Sequence, residues 1–237
     1  MRLAIIGSKG FVGSVIAEAA AAREDVELTR VTRANYRDAL DAGPYDIVVN
    51  AAMPSARFWA EQSPDLDFIE TVEKTHRIQR DFASVKIVQI SSVSARCQLD
   101  KVYGRHKRAA EVLIDNGRNL IVRLGPLYHP TLSKGVIVDL LLDRPVFVSG
   151  ESLYAFTPVE WAVGEILRRM DQIGIIEIGA KEPLQLRDLS AALGSNSQFQ
   201  GERDDQVFDD AGNEAPPAGA VIAFAERLRS RIREWKP

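Results

Sequence analysis

Cysteine is almost absent. Cys97 is the only one in 237 residues, which excludes an intrachain disulfide, and no thiol-activating signature surrounds it. Long apolar runs are missing too: none approaches the roughly 20 residues needed to span a bilayer. Nor is there an excess of positive charge. Thirty Lys and Arg stand against 33 Asp and Glu, for a net charge of -3 and a pI near 5.7, so bulk charge gives nucleic-acid binding no support. Histidine is scarce. His76, His106 and His129 fall in separate predicted elements without metal-ligand spacing, which argues against a zinc site. The chain enters a glycine loop after six residues, leaving no room for a secretory leader. A reduced, cytoplasmic setting is the expectation.

What is present reads as an ordinary enzyme-like composition, 46% hydrophobic and 27% charged, long enough to bury a substantial core. Short apolar runs alternate with helical patterns. The spacing predicts strands over 2–6, 26–32, 45–50, 85–91, 119–124 and 175–178. Most are β-branched and apolar on both faces, as buried parallel strands are. Helices are predicted over 11–22, 65–82, 102–116, 158–170, 186–193 and 220–235. Gly117 is placed to cap the third of these. The alternation defines an α/β class: a Rossmann-type doubly wound parallel sheet with a small C-terminal substrate-binding region. Residues 1–237 read as one nucleotide-binding domain, with 126–160 and 181–237 supplying the substrate region. Pro126, Pro130, Pro145 and Pro158 punctuate that second half, and 194–219, rich in Asp, Asn, Gly and Pro, reads as a loop or mobile segment.

A strand feeding a glycine-rich turn into a helix sets backbone N–H groups and the positive helix end against a pyrophosphate. Leu3-Ala4-Ile5-Ile6 leads into Gly7-Ser8-Lys9-Gly10-Phe11-Val12-Gly13 in this way. The spacing is G-x-x-G-x-x-G. Gly7 suits the tight turn, Gly10 a close backbone approach to phosphates, and Gly13 tight packing of helix on sheet. The end of the second strand discriminates between dinucleotides. A carboxylate there would bind a ribose 2′-hydroxyl. The chain carries Arg30, Thr32 and Arg33 instead, and a cationic fork favours a 2′-phosphate. NADP is therefore preferred over NAD, with Thr32 and Arg33 at the ribose and Asn35 and Tyr36 flanking the adenine. Asn50-Ala51-Ala52, ending the third strand, offers small side chains along the dinucleotide's path.

Tyr103 and Lys107 lie four residues apart on a predicted helix and share one face. An ammonium beside a phenol favours tyrosinate, so a lowered Tyr103 pKa is expected. Such a tyrosine exchanges a proton with a substrate oxygen. Ser92 ends a predicted parallel strand, where ligands of open α/β sheets bind, and its hydroxyl suits a reacting carbonyl. Y-x-x-x-K alone is a common surface pattern, and Arg105, His106 and Arg108 make this helix basic. The upstream glycine turn and Ser91-Ser92 on the preceding strand tip the reading towards redox chemistry on an alcohol or ketone.

GSKGFVG at 7–13, NAA at 50–52, ISS at 90–92, YGRHK at 103–107 and VRLGPLY at 122–128 occur in an order that resembles the short-chain dehydrogenase/reductase superfamily. Within it, the chain resembles the extended branch, the NAD-dependent epimerase/dehydratase family. The resemblance covers roughly the first 130 residues, and FTPVEWA at 156–162 is similar to the segment that returns the chain to the sheet. It implies a Rossmann fold, bound NAD or NADP and a sugar-nucleotide substrate. It implies Tyr103 as acid/base, Lys107 on the nicotinamide ribose, Ser92 polarising the substrate oxygen and Ser91 beside the cofactor. It sets Gly125-Pro126-Leu127 near the nicotinamide, and it implies a homodimer through the helices over 65–82 and 102–116. Three departures stand out. Thr71 occupies a position where the family commonly has asparagine, the interval from Ser92 to Tyr103 is short, and the C-terminal region is reduced.

The expected activity is hydride transfer to or from a carbonyl or carbinol carbon, as reductase or epimerase. Dehydration ranks lower, because Ser92-Val93-Ser94 lacks the acidic residues it needs. Two other readings stand: a non-enzymatic NADPH-binding sensor or scaffold, and a reductase of a small natural-product ketone. Arg57, Phe58 and Trp59 suit either a substrate's phosphate and base or plain packing. Arg123 reads as structural as readily as functional. The acidic run Asp204-Asp205 and Asp209-Asp210 reads as a solvated loop. The face formed by Phe224, Leu228, Ile232 and Trp235 suits core packing first and a dimer second.

Overall fold

A computed structural model describes residues 1–209 and 216–232; Asp210 and Trp235 lie outside the described residues. The chain runs β1 (Arg2–Ile6), α1 (Phe11–Ala21), β2 (Glu27–Val31), α2 (Tyr36–Asp41), β3 (Ile47–Asn50), α3 (Arg57–Gln62) and α4 (Pro64–Phe68). A π-helical turn (Ile69–Glu73) leads to α5 (Lys74–Asp81), β4 (Lys86–Ser92), α6 (Ser94–Cys97), α7 (Val102–Ile114) and β5 (Leu120–Leu124). Then come β6 (Leu127–Tyr128), α8 (Val136–Leu141), β7 (Leu153–Tyr154), β8 (Thr157–Pro158), α9 (Val159–Arg169) and β9 (Gly174–Ile178). β10 (Leu184–Gln185), α10 (Leu186–Ala192) and α11 (Ala220–Ile232) follow. Two compact units result, Met1–Leu124 with Glu160–Glu177 and Gly125–Val159 with Ile178–Pro237.

The first unit is built on a six-stranded sheet of order β2-β1-β3-β4-β5-β9. β2 to β5 pair in parallel. All six predicted sheet strands form, with ends shifted by two residues at most. Continuous burial of IVVN in β3 and LIVRL in β5 explains their lack of polar alternation. The chain leaves β1 towards β2 on one side and adds β3 on the other, so the strand order reverses between β1 and β3. In open α/β sheets that reversal opens a crevice at the carboxyl ends of the strands.

Polar pins hold this sheet to its helices. Asn119 Oδ1 accepts from the Ile87 amide at 2.8 Å, and its Nδ2 donates to the Ile114 carbonyl at 3.0 Å. Glu111 is buried on α7. It accepts from Ser91 Oγ at 2.7 Å and from two Arg123 nitrogens at 2.9 and 2.7 Å. Arg123 and Arg96 share Glu177. A buried carboxylate is tolerable when all its lone pairs are met in this way, and Arg123 is thereby structural.

The second unit has its own core, with Tyr128, Ile137, Leu140, Val146, Phe156, Leu186, Phe224 and Leu228 among its buried members. Phe224, Leu228 and Ile232 of α11 face that core, and Phe224 packs on Tyr128 with ring centroids 4.6 Å apart. Core packing is thus the role of this face.

Several elements depart from expectation. The helix expected over 65–82 is interrupted by the π-helical turn. Gly117 does not cap α7, which ends at Ile114 with an extended Asp115; its φ of +74° serves the turn beyond. The stretch 194–209 is irregular yet tied down. The Val146 amide donates to the Gln198 carbonyl, the Gln200 amide to Val146, the Ser149 amide to Glu202 and the Ala155 amide to Gln206. Its partners lie about fifty residues away, so local composition could not reveal them. Among the described residues, no helix is long and apolar enough to cross a membrane, and no cluster of side chains is arranged to hold a metal ion.

Candidate active site

The glycine turn follows β1. Gly7 has φ +84°, and a Cβ there would sit 2.7 Å from the Ala51 carbonyl oxygen. A Cβ on Gly13 would meet the Gly7 oxygen at 2.2 Å. The turn and Ala51-Ala52 therefore touch backbone to backbone, at the strand reversal. Gly10 stands at the N-cap of α1, with no side-chain cap and no acidic residue in the first turn. A helix start uncapped by side chains suits an anion. Lys9, Gly10 and Phe11 are exposed, Val12 half-buried. Ser8 is buried, and its amide and hydroxyl both donate to the Val31 carbonyl, so it fastens the turn to β2. The Asn50 side chain is internal as well. Its Nδ2 donates to Gln89 Oε1 at 2.9 Å and its Oδ1 accepts from the Ala52 amide.

After β2, Asn35 Oδ1 accepts from the Thr32 amide and hydroxyl at 2.7 and 2.8 Å. Asn35 and Tyr36 are tied into the chain: Asn35 Nδ2 donates to the Arg30 carbonyl and the Tyr36 hydroxyl donates to Asp81. Arg30 bonds the Ala17 carbonyl. Arg33 stands out, its side chain 85% exposed and paired with Glu70 at 2.9 Å.

The second half of the site lies at the end of β4. Ser92 Oγ accepts from the Ser94 amide at 3.2 Å, and the Ser92 side chain lies near enough to the Tyr103 hydroxyl to favour its ionised form. Ser91, by contrast, points its hydroxyl at Glu111 in the core. Two features set the angle of α7. Glu61 accepts from the Val102 amide at 2.7 Å, a carboxylate at a helix start. At Gly104 the α6 turn crosses so closely that a Cβ would lie 2.0 Å from the Gln98 oxygen. Y-G is thus a packing requirement as well as a motif.

Lys107 Nζ lies 5.1 Å from the centre of the Tyr103 ring, and both residues are buried. Burial reverses the expected titration. It pushes Tyr103 up to about 12, against the nearby Ser92 side chain and Arg57 charge. It pulls Lys107 down to about 7, partly opposed by Asp67 and Glu111 and assisted by Lys74. The spacing points to a lowered phenol; desolvation of its charged form dominates instead, and the Asp67 charge raises it further. Asp67 and His106 also belong here. Asp67 is buried and its Oδ2 lies 2.7 Å from His106 Nδ1. Asp67 gave no sequence signal, since it sits among apolar residues. Thr71 lies buried in the π-helical turn beside it. Arg57 to Trp59 start α3. Gly125, Pro126 and Leu127 open the second unit, where Phe208 lies over Gly125 and Leu127 begins a pairing with Thr157.

No family model matches the chain, and no curated protein matches its sequence. Solved structures do match. A dTDP-4-dehydrorhamnose reductase from Clostridium acetobutylicum superposes over 99% of both chains at TM-score 0.76 and 16% identity. A UDP-glucuronic acid 4-epimerase from Bacillus cereus, in complex with UDP-glucuronic acid and NAD, covers 100% of both chains at TM-score 0.78 and 15% identity. A dTDP-4-dehydrorhamnose reductase from Bacillus anthracis, in complex with NADP, covers 98% of both at TM-score 0.75 and 15% identity. The chain has the Rossmann-type α/β fold of these proteins.

Proposed function

We propose that this chain is an NAD(P)-dependent oxidoreductase or epimerase acting on a carbonyl or carbinol carbon of a sugar nucleotide. The observation that carries the reading is the buried Tyr103 on α7 with Lys107 Nζ 5.1 Å from its ring centre, in the unit whose sheet carries Ser92 at the end of β4 and the uncapped glycine turn after β1. Solved neighbours that bind NAD or NADP and are named for sugar nucleotides support it.

The residues fit a dinucleotide: a start of α1 without a side-chain cap, and a turn in which Gly7 and Gly13 leave no room for a side chain. Residues 7–13 would cradle the pyrophosphate, with Ala51-Ala52 and Asn50 bracing the opposite wall and Ser91 bracing β4. Thr32 and Arg33 would meet a ribose 2′-phosphate, which would compete with Glu70 for Arg33. The nicotinamide, when bound, would accept or supply hydride. Tyr103, neutral across the physiological range with its pKa near 12, donates its proton to the reduced oxygen. Ser92 orients that oxygen, and Lys107 supplies the charge that steadies tyrosinate once the proton has left. Leu66, Phe68, Ile69 and Val112 are exposed on the helical segments around 65–82 and on α7, which favours a homodimer there.

Titration with NADPH and NADH, followed by turnover of a sugar-nucleotide panel, tests this. Binding with turnover that disappears in Tyr103→Phe is the expected result. Binding without any turnover would move the chain to the sensor class, and no binding would remove the reading.

A further inference from the structure

The segment that follows β2 has a fixed backbone. The Gly7 and Ser8 amides donate to the Val31 carbonyl at 3.0 and 3.3 Å, which joins the end of β2 to the glycine turn. Asn35 closes a tight turn by accepting from the Thr32 amide and hydroxyl and donating to the Arg30 carbonyl. The Arg33 side chain, carried on that turn, is held differently. It is 85% exposed, and its Nη2 donates to Glu70 Oε2 at 2.9 Å.

Glu70 serves two cations. The same oxygen accepts from Lys74 Nζ at 2.5 Å, four residues further along. The two bonds differ in setting. The Lys74 side chain is only 14% exposed, so its ammonium has lost much of its water and depends on the carboxylate. The Arg33 bond is the wet one, and an exposed ion pair is worth little. Arg33 is therefore free to exchange Glu70 for another anion, while Glu70 keeps the partner that needs it.

We propose that Glu70 is a specificity-determining residue of the dinucleotide site. It holds Arg33 in a weak pair that a ribose 2′-phosphate must exchange, and so sets how strongly NADP is preferred over NAD. The inference rests on the reading above that Arg33 meets the 2′-phosphate. A phosphate offers the guanidinium fork two oxygens, whereas Glu70 offers it one, so the exchange favours the phosphate. Lys74 moderates the hold: by sharing Oε2 it weakens the grip of Glu70 on Arg33. A dinucleotide without the 2′-phosphate never makes the exchange.

The test is calorimetric titration of the full-length protein with NADPH and NADH. Glu70→Gln/Lys74→Met removes one negative and one positive charge, so the net charge of the trio is kept and no buried ion is left alone. A general field acting on the nucleotide predicts no change. Release of Arg33 predicts NADPH binding tighter by about 2- to 5-fold at low salt, with NADH unchanged. Lys74→Met by itself leaves the carboxylate to Arg33 and should weaken NADPH by a similar factor. NADPH affinity that stays the same or falls in the double variant would overturn the proposal, as would equal tightening of both dinucleotides. Should the double variant fail to fold, Glu70→Gln carries the same expectation for NADPH against NADH. Arg33→Ala separates the proposal from the reading beneath it. A loss of NADPH affinity there, with no gain in Glu70→Gln/Lys74→Met, defeats the proposal and leaves the 2′-phosphate reading standing. Unchanged NADPH affinity in Arg33→Ala defeats both.

Discussion

Lys107→Met removes a buried charge while nearly conserving volume. Burial draws the Lys107 ammonium down from 10.5 to about 7. A displacement of one pH unit corresponds to about 1.4 kcal/mol, so a charged Lys107 opposes folding by ~3–5 kcal/mol. The pH window follows from the direction. The folded pKa lies below the unfolded one, so between about 7 and 10.5 the unfolded chain holds the extra proton, and stability rises with pH across that range. The full cost applies below about pH 7 and fades towards 10.5. Lys107→Met should therefore be more stable than wild type by ~3–5 kcal/mol at pH 6, and by less than about 1.5 kcal/mol at pH 9.5. For a chain of this length the pH 6 difference amounts to roughly 6–20 °C in Tm. Calorimetric scans of both proteins at the two pH values decide it. An advantage equal at both values would refute the assignment to charge burial, and a less stable variant at pH 6 would refute the burial argument outright. Turnover should vanish in the same variant, a stability–activity trade expected of a functional charge.

Four other perturbations separate the parts of the molecule. Tyr103→Phe should lower turnover by about 10²–10⁴ with NADPH affinity unchanged in a fluorescence titration; retained turnover would reject Tyr103 as the acid/base. Gly13→Ala places a Cβ 2.2 Å from the Gly7 oxygen and should abolish dinucleotide binding, whereas Gly164→Ala, with open space around it on α9, should raise stability by about 0.4–1 kcal/mol. Glu111→Gln removes the charge from the carboxylate that Arg123 and Arg108 share, leaving Arg123 with Glu177 alone, and should cost about 1–3 kcal/mol in urea unfolding. Arg33→Ala should weaken NADPH and leave NADH unaffected; an equal loss for both would remove the 2′-phosphate assignment.

The sheet was legible because its strands are β-branched runs buried on both faces, a pattern set by the residues themselves. The glycine turn between β1 and α1 and the shared helix of Tyr103 and Lys107 were legible for a related reason: each depends on short spacing along the chain. Other features depend on partners far away in sequence. Arg33 meets Glu70 across 37 residues, and the polar stretch after Gly194 bonds to Val146 and Ser149. α2, α3, α6 and α8 run for only four to six residues, too short to show a helical period. The Tyr103 titration went the other way because spacing reports a neighbouring charge but not the burial that outweighs it. Asp67 was unreadable because local hydrophobicity predicts the opposite orientation of its segment.

Two groups of buried charge now stand in the first unit, and they differ in kind. Around Glu111, both carboxylate oxygens receive donors, from Ser91, Arg123 and Arg108, and Glu177 receives Arg96 and Arg123. A network satisfied in this way fixes β4, β5 and α7 in one arrangement. Along the stripe of Asp67, Thr71 and Thr75 the accounting is incomplete: Asp67 Oδ1, Thr71 Oγ1 and Thr75 Oγ1 have no partners. Nothing in the packing of α4, α5 and α7 requires a lysine and an aspartate there, since a methionine and an asparagine would fit the same volumes at lower cost. Sequences violate such rules where function demands it. The violation falls in the unit that holds the buried Tyr103 phenol with Lys107 against its ring. A charge left incompletely satisfied is one whose state can still change with its surroundings, and this is the property an acid/base centre needs and a structural network does not.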